Sequence, residues 1–255
     1  MSDSVRQDAK TPQVVLGDEE IFEAHVGGKL SVELKAPLDT QRALSIAYKV
    51  LDRDMASLRV VISGVGAAGV ACANILLAAG ISDITVVDTR GILHPGRDGM
   101  TEVKAELAQR TNPDSLTGGM VEALKGADMF LGVSGGVVPE DLVATMAPDG
   151  IVLALSNPDP EIHPDVAAKY ASVVATGRSD FPNQINNVLA FPGVFRGALD
   201  GGARRITEKM KVAAAEAIFS VASDDLAPDR IVPSPLDPRV GPEVASAVAA
   251  AASGV

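Results

Sequence analysis

The sequence predicts an α/β fold, a doubly wound parallel sheet of Rossmann type. Three observations predict it. From Leu58 onward, apolar β-branched runs alternate with helical segments, the pattern of consecutive strand–helix units. The hexapeptide Gly64-Val65-Gly66-Ala67-Ala68-Gly69 joins the first strand to the first helix with G-x-G-x-x-G spacing, and Asp88 closes the second strand nineteen residues beyond Gly69. Composition agrees: of 255 residues, 47% are hydrophobic but only 3% aromatic, with no Trp. Such an aliphatic stock suits a parallel sheet covered by helices.

The strands are predicted at 59–63, 84–87, 129–133, 151–155 and 172–175. Helices are predicted between them at 67–79, 101–109, 119–125, 139–146 and 164–170. Further helices are expected from Pro192 to Leu199, Thr207 to Ala222 and Pro242 to Ala252. Thr207 is followed by Met210, so the third helical position lacks the acid of a capping box, although Glu208 suits the first turn. Residues 1–17 look like a disordered leader, and Asp18 to His25 are expected to form a short helix stopped by Gly27-Gly28.

Each part of the glycine segment has a mechanical role. Gly64 allows the tight turn, Gly66 lets the backbone approach a pyrophosphate, and Gly69 lets the helix pack close to the strand. Ala67 and Ala68 complete the loop at a helix N-terminus, whose unpaired N–H groups suit phosphates. Asp88 stands where a carboxylate accepts hydrogen bonds from ribose hydroxyls. Arg90 stands where a 2′-phosphate would lie, so NAD and NADP both remain open, with Asp88 favouring NAD.

Three later segments put polar groups at the mouth of the sheet. Ser134-Gly135-Gly136 follows the third strand, and flexible glycines there suit a ribose or nicotinamide. Ser156-Asn157-Pro158 follows the fourth, and Pro158 keeps Asn157 out of the helical region. The stretch Gly177 to Val188 carries Asn183, Asn186 and Asn187; single asparagines are commonly turn formers. His25, His94 and His163 show no metal spacing, and Asp159 with Glu161 reads as a solvated turn. Cys72, the single cysteine, lies in the apolar run after the glycine loop and reads as packing.

The formal net charge of −11 argues against nucleic acid or an anionic membrane as partner. No apolar run reaches transmembrane length, and the first ten residues lack a signal peptide's hydrophobic region. A soluble, cytoplasmic protein is expected.

Several segments closely resemble the bacterial malic enzymes. They include Glu19 to His25, Gly27 to Leu30, Leu44 to Tyr48, Asp88-Thr89-Arg90-Gly91, Ser156-Asn157-Pro158, Phe181 to Val188, Ile231 to Pro235 and Asp237-Pro238-Arg239. The resemblance implies an oxidoreductase that converts malate and NAD(P) to pyruvate, CO2 and NAD(P)H with Mg2+ or Mn2+, in a homodimer. It implies that Gly64, Gly66, Ala67, Ala68, Gly69 and Asp88 hold the dinucleotide, which Arg90, Ser134 and Asn157 are also placed to reach. Asn157 and one or both of Asn186 and Asn187 would face malate and the nicotinamide ribose, and Tyr48 matches the general acid that protonates the enol of pyruvate.

One departure limits the likeness. In the family, Tyr48 is followed by a Thr-Pro-Gly-Val run and a substrate domain; here Lys49 to Asp54 follow, and the glycine loop arrives sixteen residues after the tyrosine. The missing block carries the family's catalytic lysine and its acidic metal ligands; Lys49, Asp52 and Asp54 replace them in no recognisable motif. The resemblance therefore divides the chain into a remnant of the N-terminal domain at 18–55, an NAD(P)-binding domain at 56–225 and a C-terminal tail and helix at 226–255. Two functions follow: a malic-enzyme-family oxidoreductase impaired in this chain, or a non-catalytic NAD(P)-binding module from an internally deleted enzyme. An amino-acid-dehydrogenase-like domain shares the sheet but leaves Ser156-Asn157-Pro158 and Phe181 to Val188 unexplained. Loss of the substrate block also predicts self-association through faces it would cover.

Overall fold

A computed structural model describes residues 14–16, 20–22, 55–223 and 226–252. At its centre is a six-stranded sheet of β3 (Arg59–Ser63), β4 (Asp83–Asp88), β5 (Gly91–Ile92), β6 (Met129–Gly132), β7 (Gly150–Ala154) and β8 (Ala171–Thr176). The strand order is β5-β4-β3-β6-β7-β8. All neighbours run parallel except β5, which returns antiparallel beside β4. The order reverses between β3 and β6, which opens a crevice at their carboxyl ends. Val14–Leu16 (β1) and Glu20–Phe22 (β2) form a second sheet with Arg205–Ile206 (β9). The segment expected to be a short helix therefore includes a strand, and β1 falls inside the expected leader.

Alternation along each strand feeds two cores on opposite sheet faces. Val60, Ile62, Ile84, Val86, Met129, Leu131, Ile151 and Leu153 belong to one core. Val61, Val87, Phe130, Val152 and Ala154 belong to the other. Helices α1 (Ala67–Ala78), α2 (Glu102–Arg110), α6 (Phe191–Asp200), α7 (Glu208–Ala222) and α8 (Val240–Ala252) pack into the first. The short α3 (Met120–Leu124), α4 (Glu140–Val143) and α5 (Pro164–Ala167) pack into the second. Every strand and helix expected from Arg59 onward is present within a few residues. The strands missed, β5 and β9, have two residues each, too few to show a period.

The cap of α7 differs from expectation. Thr207 Oγ1 accepts from Met210 N–H at 3.3 Å, and Thr207 N–H donates back to Met210 Sδ at 3.5 Å. A thioether, a weak acceptor, fills the place of the acid. Asn183 is likewise a structural residue. Its buried amide donates to the carbonyls of Val174 and Pro228, and its Oδ1 accepts from Ile231 N–H, pinning the chain after α7 to β8.

Close approach of backbones joins α6 to α8. Gly193, Gly197 and Gly201 recur every fourth residue and share one face. A Cβ on them would lie 2.5 Å from Val244 Cβ, 2.4 Å from Ala245 O and 2.6 Å from Ala252 Cβ, respectively. Overpacking of this kind costs about 1–3 kcal/mol. Gly197→Val is expected to lower the urea midpoint accordingly; an unchanged midpoint would show that α8 moves aside freely.

Candidate functional site

The glycine loop is built as its spacing predicts, and each glycine meets a different constraint. Gly64 has φ +119° and donates to Val87 O at 2.8 Å; a Cβ there would crowd Ser134 Cβ at 3.1 Å. A Cβ on Gly69 would lie 2.0 Å from Gly64 O, so α1 touches the end of β3 at backbone distance. Gly66 heads α1 with no side-chain cap, and a Cβ there would meet nothing within 4 Å. Ala67 and Ala68 form the first turn behind it. The loop is thus fixed on its inner side and open at Gly66, which fits a ligand bringing oxygens to uncapped N–H groups.

Asp88 ends β4 on the same side of the sheet. Its carboxylate, 9% exposed, pairs with Arg97 Nη2 at 2.6 Å and Lys104 Nζ at 2.7 Å on Oδ2. Oδ1 accepts from Arg90 N–H at 2.8 Å and Arg97 Nη1 at 3.0 Å. Four donors fill the four lone-pair sites of a carboxylate. Burial pushes the pKa of Asp88 up, but hydrogen bonds from Arg97, Lys104 and the Arg90 N–H outweigh it and hold the group well below the usual carboxylate range.

Arg97 and Lys104 carry no local signal in the sequence. Arg97 comes from the loop after β5 and Lys104 from the first turn of α2, where a cation opposes the helix dipole and Asp88 compensates it. Arg97 Nε is buried and has no partner among the described residues. The Arg90 guanidinium, expected near a 2′-phosphate, donates to the carbonyls of Asp98 and Gly99, both at 2.9 Å.

Past the switch point, Ser134 Oγ lies 2.9 Å from Ser63 Oγ, which brings the loop after β6 against the end of β3. Asn157 is exposed beyond β7, with its amide against Gly177 at the end of β8. Asn186 Oδ1 accepts from Val188 N–H at 3.1 Å and caps the short turn Asn187–Leu189, which leaves its NH2 for other partners. The side chain of Asn187, and Tyr48 with its neighbours, lie outside the described residues. Gly64, Gly66, Ser134 and Asn157 thus line one rim with Asp88.

Glu161 departs from its reading as part of a solvated turn. It is 1% exposed, and its carboxyl group accepts from Ser134 N–H at 3.1 Å, from Ser156 N–H at 3.3 Å and from the Ser156 hydroxyl. His163 is exposed and caps α5. Among the described residues, no group of three or more His, Cys, Asp or Glu is placed to hold a metal ion. No helix among them is long and apolar enough to cross a membrane.

Comparison with known proteins places this geometry. A family model described as the malic enzyme NAD-binding domain matches residues 40–253. The chain is 49% identical over 217 residues to the bifunctional malic/malolactic enzyme of Bacillus subtilis, covering 84% of this chain and 53% of that protein. It is 50% identical over 208 residues to the NAD-dependent malic enzyme of Geobacillus stearothermophilus, covering 81% and 44%. The malic enzyme structure from Pyrococcus horikoshii superposes with a TM-score of 0.83 at 39% identity, over 87% of this chain and 54% of that one. The chain spans about half the length of the curated relatives it matches.

The Asp88 cluster generates a pH dependence. Because its folded pKa lies below the unfolded value near 3.8, the unfolded state binds the proton first, and acid favours unfolding. This contribution is fully present above the unfolded pKa and is lost as pH falls through the folded one. Urea unfolding at pH 7 and near pH 3.5 is expected to show Asp88→Asn less stable at pH 7 and less sensitive to acid than wild type. Equal acid sensitivity would remove Asp88 from the account.

Proposed function

Because the chain belongs to the malic enzyme family, whose NAD-binding domain it contains, we propose that residues 56–225 hold NAD(P) across the crevice between β3 and β6. The observation that carries this reading is the glycine loop. Gly64 and Gly69 are locked by contact, while Gly66 and the uncapped start of α1 open outward. The pyrophosphate lies at Gly66, and the adenosine ribose lies beside Asp88. Since four donors already fill Asp88, a ribose hydroxyl that reaches it displaces one of them. Lys104, 28% exposed against 10% for Arg97, is the donor that moves. Arg97 and Lys104 also supply positive charge for a 2′-phosphate, so the site accommodates both cofactors.

The substrate of the whole enzyme is malate, and the reaction yields pyruvate, CO2 and NAD(P)H. Bound NAD(P) would supply the hydride acceptor for C2 and a bound divalent cation the stabilisation of charge on decarboxylation, while a protein base would take the hydroxyl proton. Asn157 and Asn186 are the described residues offered to substrate or nicotinamide ribose, with Asn187 and Tyr48 completing that set. The base and the acidic metal ligands belong to the block absent between Tyr48 and Gly64. Loss of a general base costs about 10²–10⁴-fold, and loss of the metal several kcal/mol more. We therefore read this polypeptide as a cofactor-binding module of the family without malate turnover of its own. The N-terminal segment 18–55 is a remnant of the family's N-terminal domain. In the 226–255 tail, α8 closes the module by packing on α6 and α7.

Two experiments test this. With malate, Mn2+ and either NAD+ or NADP+, the purified chain is expected to produce no reduced cofactor while still binding it. Malate-dependent reduction would overturn the module reading. Gly66→Ala is expected to leave the unfolding midpoint nearly unchanged, since its Cβ meets nothing, yet to weaken dinucleotide binding tenfold or more, roughly the loss of one good phosphate contact. Unchanged affinity would place the pyrophosphate elsewhere.

A further inference from the structure

We infer that Glu161 is a positioning residue that sets the nicotinamide side of the crevice, by fixing the loops after β6 and β7 to each other. The inference rests on the NAD(P) reading above. Glu161 sits five residues after Ser156 on the loop that leaves β7 and reaches across to the loop after β6. Its Oε1 accepts from Ser134 N–H and from the Ser156 hydroxyl, and its Oε2 from Ser156 N–H. The Ser156 hydroxyl in turn accepts from Gly135 N–H at 2.8 Å, so its own proton is left for Glu161. The Glu161 carbonyl accepts from Val138 N–H at 2.7 Å, which ties in the chain entering α4.

The network continues through Ser134 Oγ to Ser63 Oγ at the end of β3. One buried carboxyl group therefore joins the carboxyl ends of β3, β6 and β7. Gly132 makes room for it: a Cβ there would lie 2.3 Å from Glu161 Cδ. Burying an acid this deeply is costly unless its acceptors are filled, and the donors that fill it come from both loops.

The position explains the role. A dinucleotide crosses the sheet where strand order reverses, with its adenosine half on the β3–β4 side next to Asp88. Its nicotinamide half then lies over β6 and β7, above Gly135 and Ser156-Asn157. Glu161 does not reach that rim itself; it acts through the backbone it holds. A glutamine keeps the shape of Glu161 but replaces one acceptor oxygen with an NH2 group, so at least one of the three donors loses its partner.

The test compares AMP, which carries only the adenosine half, with NADH and NADPH on the full chain. Glu161→Gln is expected to weaken binding of the reduced dinucleotide about tenfold, the scale of one buried hydrogen bond, while AMP affinity changes less than twofold. The emission of bound reduced nicotinamide should move toward that of free cofactor. Equal weakening of both ligands, or no change in either, would overturn the inference. Ser156→Ala removes only the hydroxyl bridge to Gly135 and should give the same split between ligands, which keeps the question answerable if Glu161→Gln does not fold. Wild type that binds neither ligand would instead refute the NAD(P) reading on which this one stands.

Discussion

The contact between α1 and the end of β3 governs the geometry of the whole domain. With a Cβ on Gly69 only 2.0 Å from Gly64 O, helix and strand meet backbone to backbone, and no side chain holds them apart. Cys72, Ala73, Ile75 and Leu76 then reach the sheet face formed by Val60, Ile62, Ile84 and Val86. The same contact aims the uncapped start of α1 at the switch point, where the helix dipole favours an anion. Core packing and the direction of the helix start proposed to meet the pyrophosphate are thus consequences of one close approach. A larger residue at position 69 would disturb both together.

Much of the fold was legible in the sequence because it depends on local periods. Strands with alternating faces read correctly from β-branched runs, and the helices between them from their length and their Gly or Pro boundaries. What failed was short or set by a distant neighbour. The hairpin strand β5 has two residues and exists because Asp88 and Gly91 pair across the turn at Thr89-Arg90. The helix read at 139–146 shrinks to Glu140–Val143, its remaining residues turning to deliver Ala147 N–H to Ala127 O. The sulfur cap of Met210 defeats a rule written for carboxylates and amides.

The site divides along the same line. The glycine loop and the place of Asp88 follow from spacing, since their roles are played by neighbouring backbone. The partners do not. Arg97 and Lys104 reach Asp88 from nine and sixteen residues away, through a hairpin and a helix start that no motif announces. Asn183, one of the asparagines at the predicted rim, turns inward to brace the chain after α7. Glu161 looks like a surface acid beside Asp159 because sequence cannot show that Gly132 leaves a space beneath it. A glycine in the middle of an apolar strand was the available signal: a missing side chain there asks what fills the gap.

The two acids define opposite sides of the crevice by the same physical means. Asp88 gathers donors from its own turn, from the loop after β5 and from α2, while Glu161 gathers them from the loops after β6 and β7. In each case, donors from separate segments converge on one carboxyl group, and such hydrogen bonds stiffen what they join. The rim is consequently ordered by the protein's own hydrogen bonds, and a ligand binding there loses less affinity to ordering loops. The sides differ in one respect. Asp88 is held partly by a half-buried lysine, which in the proposed site is the donor a ribose displaces, whereas Glu161 is buried between the loops after β6 and β7. In the proposed site the adenosine side is therefore the adaptable one, able to exchange a protein donor for a ligand hydroxyl or phosphate, while the β6–β7 side is held by a carboxyl group with no accessible partner to exchange.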